Sequence, residues 1–213
     1  TGCYFLAEAG LLRKDQPVTL HWEALPAFAE KYPEQQLSSE LFELGQVISC
    51  AGGSSMLDLM LHLIQALLGH EIAVQVCEQF IRSGIRGKTD KQRLDVSARL
   101  QLHDQRLIKA VLIMEDELEN PISMVNLAEQ VHVSVRQLER LFKQNLGVTP
   151  AEYYLELRLA KARQLLDNSN LSISAIAMIC GFSSGSHFSR SYQSRYGVNP
   201  SEQRKKKAGT GPA

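Results

Sequence analysis

The fold is decided by a stretch near the C-terminus that occurs twice. Residues 134–150 read SVRQLERLFKQNLGVTP, and residues 184–200 read SGSHFSRSYQSRYGVNP. A shift of 50 superposes like on like, namely Ser134 on Ser184, Leu138 on Phe188, Arg140 on Arg190, Phe142 on Tyr192, Leu146 on Tyr196, Gly147 on Gly197, Val148 on Val198, Pro150 on Pro200 and Glu152 on Glu202. An internal repeat of this length indicates two copies of one supersecondary unit.

Each copy has the pattern of two helices joined by a short turn. Upstream of the turn the shift is 49, which aligns Leu127 and Ala128 with Ile176 and Ala177 and leaves one extra residue at the turn. Serines stand where helix N-caps are expected: Ser123 and Ser134 in the first copy, and Ser172 and either Ser183 or Ser184 in the second. The pattern predicts helix-turn-helix subdomains at about residues 123–147 and 172–197, with a helix from Pro150 to about Asn168 between them.

The charge of the chain is divided unequally, although its formal net charge is zero. From Ser134 onward 12 Lys and Arg stand against 5 Asp and Glu, whereas the first 133 residues carry 11 against 18. A basic segment concentrates a polyanion around itself, and each phosphate contact releases counterions. The repeated part is therefore the candidate nucleic-acid surface.

The helix between the copies predicts how that surface would be used. Its roughly 18 residues span about 27 Å, comparable with the ~34 Å between successive major-groove faces on one side of B-DNA. If the second helix of each copy is held at that distance from the other, the two helices fit adjacent major grooves. One chain would then contact two DNA segments.

Five motifs in a fixed order carry a family resemblance. They are VRQLERLFK at 135–143, GVTP at 147–150, RLAKARQLL at 158–166, ISAIAMICGF at 173–182 and FSRSY at 188–192. Together they resemble the AraC/XylS family of bacterial transcription regulators, over residues 104–204. The resemblance implies a mainly α fold with about seven helices in a tandem helix-turn-helix module. It also implies a cytoplasmic regulator that binds double-stranded promoter DNA, works with RNA polymerase and activates amine or amino-acid catabolism genes.

The first 82 residues alternate between helical and strand-like stretches. We expect helices over residues 1–12 and 24–32, short strands at 18–22, 42 and 47–50, and a helix over 56–68. That last helix is apolar nearly all round, which predicts burial. The motifs TGCYFLAEAGLL, TLHW and AGG with Asp58 resemble the C-terminal portion of the α/β amidotransferase-like sensor domain of GlxA-type regulators. This resemblance implies an upstream part before Thr1, an amine or amino-acid effector and a homodimer.

The remaining segments are assigned by composition. Residues 83–103 are polar, bear glycines and mixed charge, and are interpreted as a linker. Residues 104–207 are assigned to the DNA-binding domain, which begins with a helix over about 104–119, and residues 208–213 to a disordered tail. The basic run 204–207 is either a solvated tail or a source of non-specific affinity for phosphate.

Helical spacing divides the second helix of each copy into a buried stripe and an outer face. The predicted DNA-facing residues are Val135, Arg136, Gln137, Glu139, Arg140 and Lys143 in the first copy, and Ser184, Gly185, Ser186, His187, Ser189, Arg190 and Gln193 in the second. Arginine can bind guanine through two hydrogen bonds, and the family resemblance implies that Arg136, Glu139 and Arg140 contact bases. Two alternatives stay open: Arg140 and Arg190 could form ion pairs within the domain, and His187 could be merely solvated.

Other kinds of site find little support. Cys3, Cys50, Cys77 and Cys180 lack metal-like or CxxC spacing and are interpreted as buried small apolar residues, so neither a metal nor another cofactor is expected. Gly52 and Gly53 form either a packing turn or an anion-binding turn. No run is long enough to cross a membrane. No catalytic constellation is recognisable, so the protein is not expected to be an enzyme. An amidotransferase-like enzyme with a DNA-targeting module and a non-specific architectural DNA binder are the competing functions.

Overall fold

The computed structural model describes residues 2–208, which divide into two compact units between Leu94 and Asp95. The elements of the N-terminal unit are α1 (Gly2–Glu8), β1 (Val18–Thr19), α2 (Leu25–Lys31), β2 (Leu37–Ser38), β3 (Phe42–Glu43), β4 (Ser49–Cys50), α3 (Ser55–Leu68) and α4 (His70–Gln79). Those of the C-terminal unit are α5 (Val96–Leu100), α6 (Gln105–Asp116), α7 (Met124–Gln130), α8 (Val135–Leu146), α9 (Pro150–Asn168), α10 (Ile173–Ile179), α11 (Gly185–Tyr196) and α12 (Pro200–Ala208). The chain is mainly helical, as its sequence predicts.

The N-terminal unit is an α/β layer of small extent. Strand β1 pairs in parallel with β2, and β3 pairs antiparallel with β4, so each of these sheets has two strands. One apolar cluster forms around Val18, Leu20 and Phe28, and a second around Phe42 and Leu59. Helices α2 and α3 and strands β3 and β4 lie where the sequence predicts them, whereas β2 and α4 were not expected. The predicted helix over residues 1–12 ends at Glu8, and the predicted strand over 18–22 ends at Thr19.

The prediction that α3 is buried on all sides is wrong. The helix buries Asp58, Leu59 and Leu61, but Met56 is 52% exposed and Leu67 is 80% exposed. Within the N-terminal unit α3 packs against β3, β4 and α4, which cover only part of its circumference. Apolar composition predicts which residues favour burial, but it does not supply a partner for every face of a helix.

Helix α4 follows α3 directly, and Gly69 breaks the helix between them because its φ is +94°. From the sequence, Gly69 is predicted only to end α3. Helix α4 was not predicted because much of its surface is polar, and only Ala73 and Cys77 are buried in this helix.

The C-terminal unit has two apolar cores. The first is built by α5 to α8 and the start of α9, and includes Leu107, Val111, Leu127, Leu138 and Phe142. The second is built by the rest of α9 with α10 and α11. Its largest buried members are Phe188 and Tyr192, whose rings lie 5.7 Å apart.

The unit boundary falls within residues 83–103, which the sequence analysis interpreted as a linker. Residues from Asp95 onward belong to the C-terminal unit, where Val96 and Leu102 lie in the first core beside α6. Arg99 of α5 also forms an ion pair with Glu115 of α6 at 2.7 Å. The short helix was missed because its few apolar residues do not establish a period.

The C-terminal helix α12 replaces part of the tail that composition suggests. The guanidinium of Arg204 donates a hydrogen bond to the carbonyl of Leu171, and Gln203 Nε2 donates to Asp167 Oδ1 at 2.8 Å. The interpretation of residues 204–207 as solvated tail is therefore wrong for Arg204. Residues 209–213 of the predicted tail lie outside the described residues.

Helix α6 begins with an aspartate cap that predicts a pH dependence. The Asp104 carboxylate accepts hydrogen bonds from the backbone N of Arg106 at 2.9 Å and of Leu107 at 3.4 Å. The hydrogen bond from the Arg106 side chain, with these backbone bonds, lowers the pKa of Asp104 to about 2. Since the ordinary value is about 4, this carboxylate stabilises the folded state above about pH 4. That contribution is lost as the pH falls towards 2.

We expect Asp104→Asn to flatten this part of the acid dependence, because asparagine also caps helices but does not titrate there. Melting temperatures of the parent and the variant between pH 5 and pH 2 provide the measurement. Equal losses in both proteins over this range would contradict the assigned role of Asp104.

Candidate nucleic-acid interface

The first helix-turn-helix subdomain consists of α7 and α8 and is shaped by two capped helices. Ser123 Oγ accepts from the backbone N of Asn126 at 3.1 Å, which caps α7. Ser134 and Gln137 form a capping box at the start of α8. Between the helices, His132 adopts a φ of +57°, a conformation that side chains other than glycine rarely take. These local interactions fix where α8 begins and which of its faces turns outward.

Helix α8 presents a cationic outer face. Leu138, Leu141 and Phe142 are buried, and Leu138 and Phe142 lie in the first core. Of the predicted DNA-facing residues, Arg136, Gln137, Glu139, Arg140 and Lys143 are exposed, while Val135 is half-buried and packs against the core. The Oε1 atom of Gln137 accepts from the backbone N of Ser134 at 2.8 Å, so this side chain is held at the helix start.

One exposed residue of this face is absent from the predicted DNA-facing set. Gln144 is exposed and lies one helical turn beyond Arg140, which in turn lies one turn beyond Arg136. The three side chains form a continuous outer stripe along α8. The signal was present in the sequence, since the spacing of four residues continues unbroken from 136 to 144.

The second helix-turn-helix subdomain, α10 and α11, repeats the construction of the first. Phe182 N donates to Ala177 O at 2.8 Å, as Val133 N donates to Ala128 O at 3.0 Å in the first turn. The left-handed position in this turn is occupied by Gly181, with a φ of +71°. The alignment of the two copies is therefore reproduced at the level of individual backbone hydrogen bonds.

The start of α11 distinguishes two neighbouring serines. Ser184 Oγ accepts from the backbone N of His187 at 3.2 Å and is the N-cap, so of the two sequence candidates Ser184 is the cap. We expect Ser184→Ala to lower the free energy of unfolding by about 1 kcal/mol, the usual value of a serine cap. Ser183→Ala, one residue away and also exposed, should change it by less than half as much. Urea unfolding would measure both, and equal effects would contradict the assignment.

The outer face of α11 is less charged than that of α8. Phe188 and Tyr192 point inward, and burial raises the pKa of Tyr192 to about 12. Of the predicted contact residues, Ser184, Gly185, Ser186, His187, Arg190 and Gln193 are exposed and Ser189 is half-buried. The ring of His187 lies 5.6 Å from that of Phe182, so the imidazole packs against the subdomain at one edge.

The ion-pair alternative for Arg140 and Arg190 finds no support in the structure. Within the part of the chain that is described, neither guanidinium pairs with a carboxylate, and Arg190 Nε donates to the carbonyl of Ser186 in its own helix at 3.3 Å. Arg195, by contrast, forms an ion pair with Glu156 of α9, which raises the pKa of Arg195. Arg195 is thus occupied within the domain, while Arg140 and Arg190 are available to a ligand.

Other chemistries are not assembled among the described residues. No group of three or more His, Cys, Asp or Glu side chains there could hold a metal ion. Burial raises the pKa of Cys3, and it raises that of Cys180 to about 12, which disfavours the reactive thiolate. Across residues 2–208 we also find no helix that is both long and apolar enough to cross a membrane.

The glycine turn of the N-terminal unit is explained by backbone conformation. Gly52 and Gly53 have φ angles of +89° and +55°, and no heavy atom lies within 4 Å of a Cβ built at either position. Close packing is therefore not the reason for these glycines. The nearby Asp58 is fully buried and pairs with Arg82 at 2.7 Å and with Arg86.

Comparison with known proteins identifies the repeated part. Residues 127–206 match the model of a family described as a helix-turn-helix domain. The chain is 47% identical to the HTH-type transcriptional regulator CdhR of Pseudomonas aeruginosa over 205 residues, which are 96% of this chain and 61% of that protein. Residues 127–206 form an AraC-type helix-turn-helix domain.

Two further similar proteins are a curated regulator and a solved structure. The chain is 41% identical to the HTH-type transcriptional regulator GbdR of Pseudomonas aeruginosa, over 96% of this chain and 56% of that one. It is 51% identical to a solved structure titled a transcriptional regulator with an AraC-type DNA-binding domain, from Chromobacterium violaceum. That match covers 50% of this chain and 95% of the other, with a TM-score of 0.47. The chain spans about three fifths of the length of the two curated relatives.

Proposed function

We propose that this chain is a sequence-specific DNA-binding transcription factor that contacts two adjacent segments of promoter DNA. The observation that carries the proposal is the pair of capped, outward-facing helices, α8 and α11, on one shared helix, α9. The first of these helices exposes Arg136, Arg140 and Lys143, and the two arginines are the side chains best suited to guanine. The relatives named as transcriptional regulators support the same function.

The length of α9 supports simultaneous contact with two grooves. Its 19 residues extend over about 28 Å at the usual rise of an α-helix. Successive major-groove faces on one side of B-DNA are about 34 Å apart. Because α9 begins at the end of the first subdomain and ends at the start of the second, its length is compatible with α8 and α11 lying in adjacent major grooves.

The two subdomains are proposed to contribute unequally. Helix α8 carries two arginines, a lysine and a glutamate on its outer face, which permit hydrogen bonds to several base edges. Helix α11 offers Arg190 together with small and neutral side chains. We therefore assign base discrimination mainly to α8. We assign anchoring to α11, with backbone amides at its start directed at phosphate.

Selection from a random duplex library with the full 213-residue chain tests the proposal. The expected result is an enriched sequence with two conserved segments about one helical turn apart. The segment bound by α8 should show the stronger base preference. Equal affinity for all duplexes, with a steep dependence on salt, would instead indicate a non-specific architectural binder.

Partners beyond DNA are part of the same proposal and rest on the family resemblance. They are RNA polymerase, an amine or amino-acid effector, and a second copy of the protein. We propose activation of amine or amino-acid catabolism genes as the regulatory outcome. Melting temperatures of the chain with choline derivatives, carnitine and arginine test the effector class, because a ligand that binds the folded state raises the transition temperature.

A further inference from the structure

The two helix-turn-helix subdomains touch beside the middle of α9. Tyr154, the last buried residue of α9 in the first core, and Leu159, the first buried one in the second core, are only five positions apart. Arg158 lies between them and one helical turn after Tyr154, so both side chains project from the same face of α9. The cores therefore meet where these two side chains leave the helix.

Tyr154 holds the loop that precedes the first subdomain. Its hydroxyl donates to the carbonyl of Glu117 and accepts from the backbone N of Ile122, at 3.3 Å in the second case. The side chain is 3% exposed. One buried hydroxyl thus ties α9 to both ends of the segment that connects α6 to α7.

Arg158 holds the turn of the second subdomain. Its Nε donates to the carbonyl of Cys180 at 2.7 Å, and its Nη2 donates to the carbonyl of Gly181, also at 2.7 Å. The guanidinium also lies over the Phe182 ring, 4.1 Å from its centre. Two carbonyls at the end of α10 and an aromatic face are therefore fixed by one planar group.

The loop and the turn are in direct contact with each other. A Cβ built on Gly181 would lie 2.4 Å from Cγ of Pro121 and 2.6 Å from the carbonyl oxygen of Leu118. The backbones approach as closely as they do only because residue 181 has no side chain. Tyr154 binds the loop between α6 and α7 on one side of this contact, and Arg158 binds the turn after α10 on the other.

We infer that Tyr154 and Arg158 form a clamp that sets the spacing of the two DNA-contacting helices, an inference that rests on the proposed function. The clamp residues are positioning residues and contact no DNA themselves. With the clamp closed, α8 and α11 move as one body and accept only one separation between the two DNA segments. With it loosened, each subdomain can follow its own groove.

Changing the separation of the two segments in the selected duplex tests the clamp directly. One inserted or deleted base pair moves the second segment by about 3.4 Å and rotates it by roughly 35°. For the parent chain we expect affinity to fall about tenfold or more, because one helix loses its base contacts. For Arg158→Lys and Tyr154→Phe we expect a loss of less than about threefold.

Arg163→Lys serves as the matched control. Arg163 also projects from α9 over an aromatic ring, that of Tyr196 at 5.0 Å, but this contact lies within the second subdomain. The control variant should retain the strict spacing of the parent. Melting temperatures of all variants verify folding, and if one clamp variant is unfolded the other decides the result.

Two results would overturn the clamp. The first is a clamp variant that binds more weakly yet keeps the tenfold spacing penalty; the second is a parent chain that tolerates the changed spacing. Failure of the proposed function is a separate outcome, because in that case the parent chain shows no sequence preference on any duplex.

Discussion

Replacing Gly181 with alanine is expected to lower the free energy of unfolding of the C-terminal unit by about 2–4 kcal/mol. Two effects add at this position. The φ of +71° is unfavourable for any residue with a Cβ, and that Cβ would lie 2.4 Å from Pro121 Cγ. Since the added atom also approaches the carbonyl oxygen of Leu118, relief requires movement of backbone rather than of a flexible side chain. Urea unfolding followed by circular dichroism provides the measurement.

Gly147 and Gly197 are matched controls for this substitution. Gly147 ends α8 and Gly197 ends α11, with φ angles of +75° and +72° that are near that of Gly181, and nothing lies within 4 Å of a Cβ at either site. Alanine there should cost only the backbone term, about 1 kcal/mol. If Gly181→Ala were no worse than Gly197→Ala, the close approach of the two subdomains at residue 181 would be refuted.

Arg136→Ala is expected to weaken binding to the selected duplex by about 1–3 kcal/mol, or about 5- to 150-fold. The side chain is exposed at the start of α8, where a recognition helix contacts base edges. Its loss should also relax the preference at the base pair that we propose it contacts. Fluorescence anisotropy on the selected duplex and on its single-base variants measures both quantities.

Lys143→Ala separates phosphate contact from base contact. Lys143 lies near the other end of the same helix and is also exposed. This variant should weaken binding to all duplexes by similar factors and reduce the salt dependence by about one counterion. Equal behaviour of the two variants on every duplex would show that the roles assigned to the two ends of α8 are wrong.

Much of the C-terminal unit could be predicted because its signals are local. A serine cap, a buried stripe of helical period and a terminal glycine lie within a few residues of one another. The same three signals occur in both copies of the repeat. The same local rules place Arg136, Arg140 and Arg190 on outer faces. They also extend to Gln144, which a fuller use of the period would have included.

The features that were missed depend on tertiary partners. Helix α12 has no apolar stripe in its sequence PSEQRKKKA and is held by Arg204 and Gln203 against distant residues. The exposure of α3 depends on which elements pack beside it. The clamp is invisible in the sequence because the loop carbonyls that Tyr154 and Arg158 bind lie 22 to 37 positions away.

The central claim is that one chain contacts two segments of DNA through α8 and α11. Hydroxyl-radical footprinting of the full chain on the selected duplex tests it most directly. We expect two protected segments on the same face of the duplex, with centres about 10 base pairs apart. Arg136→Ala should weaken protection of one segment and Arg190→Ala of the other. A single protected segment, or uniform protection along the duplex, would contradict it.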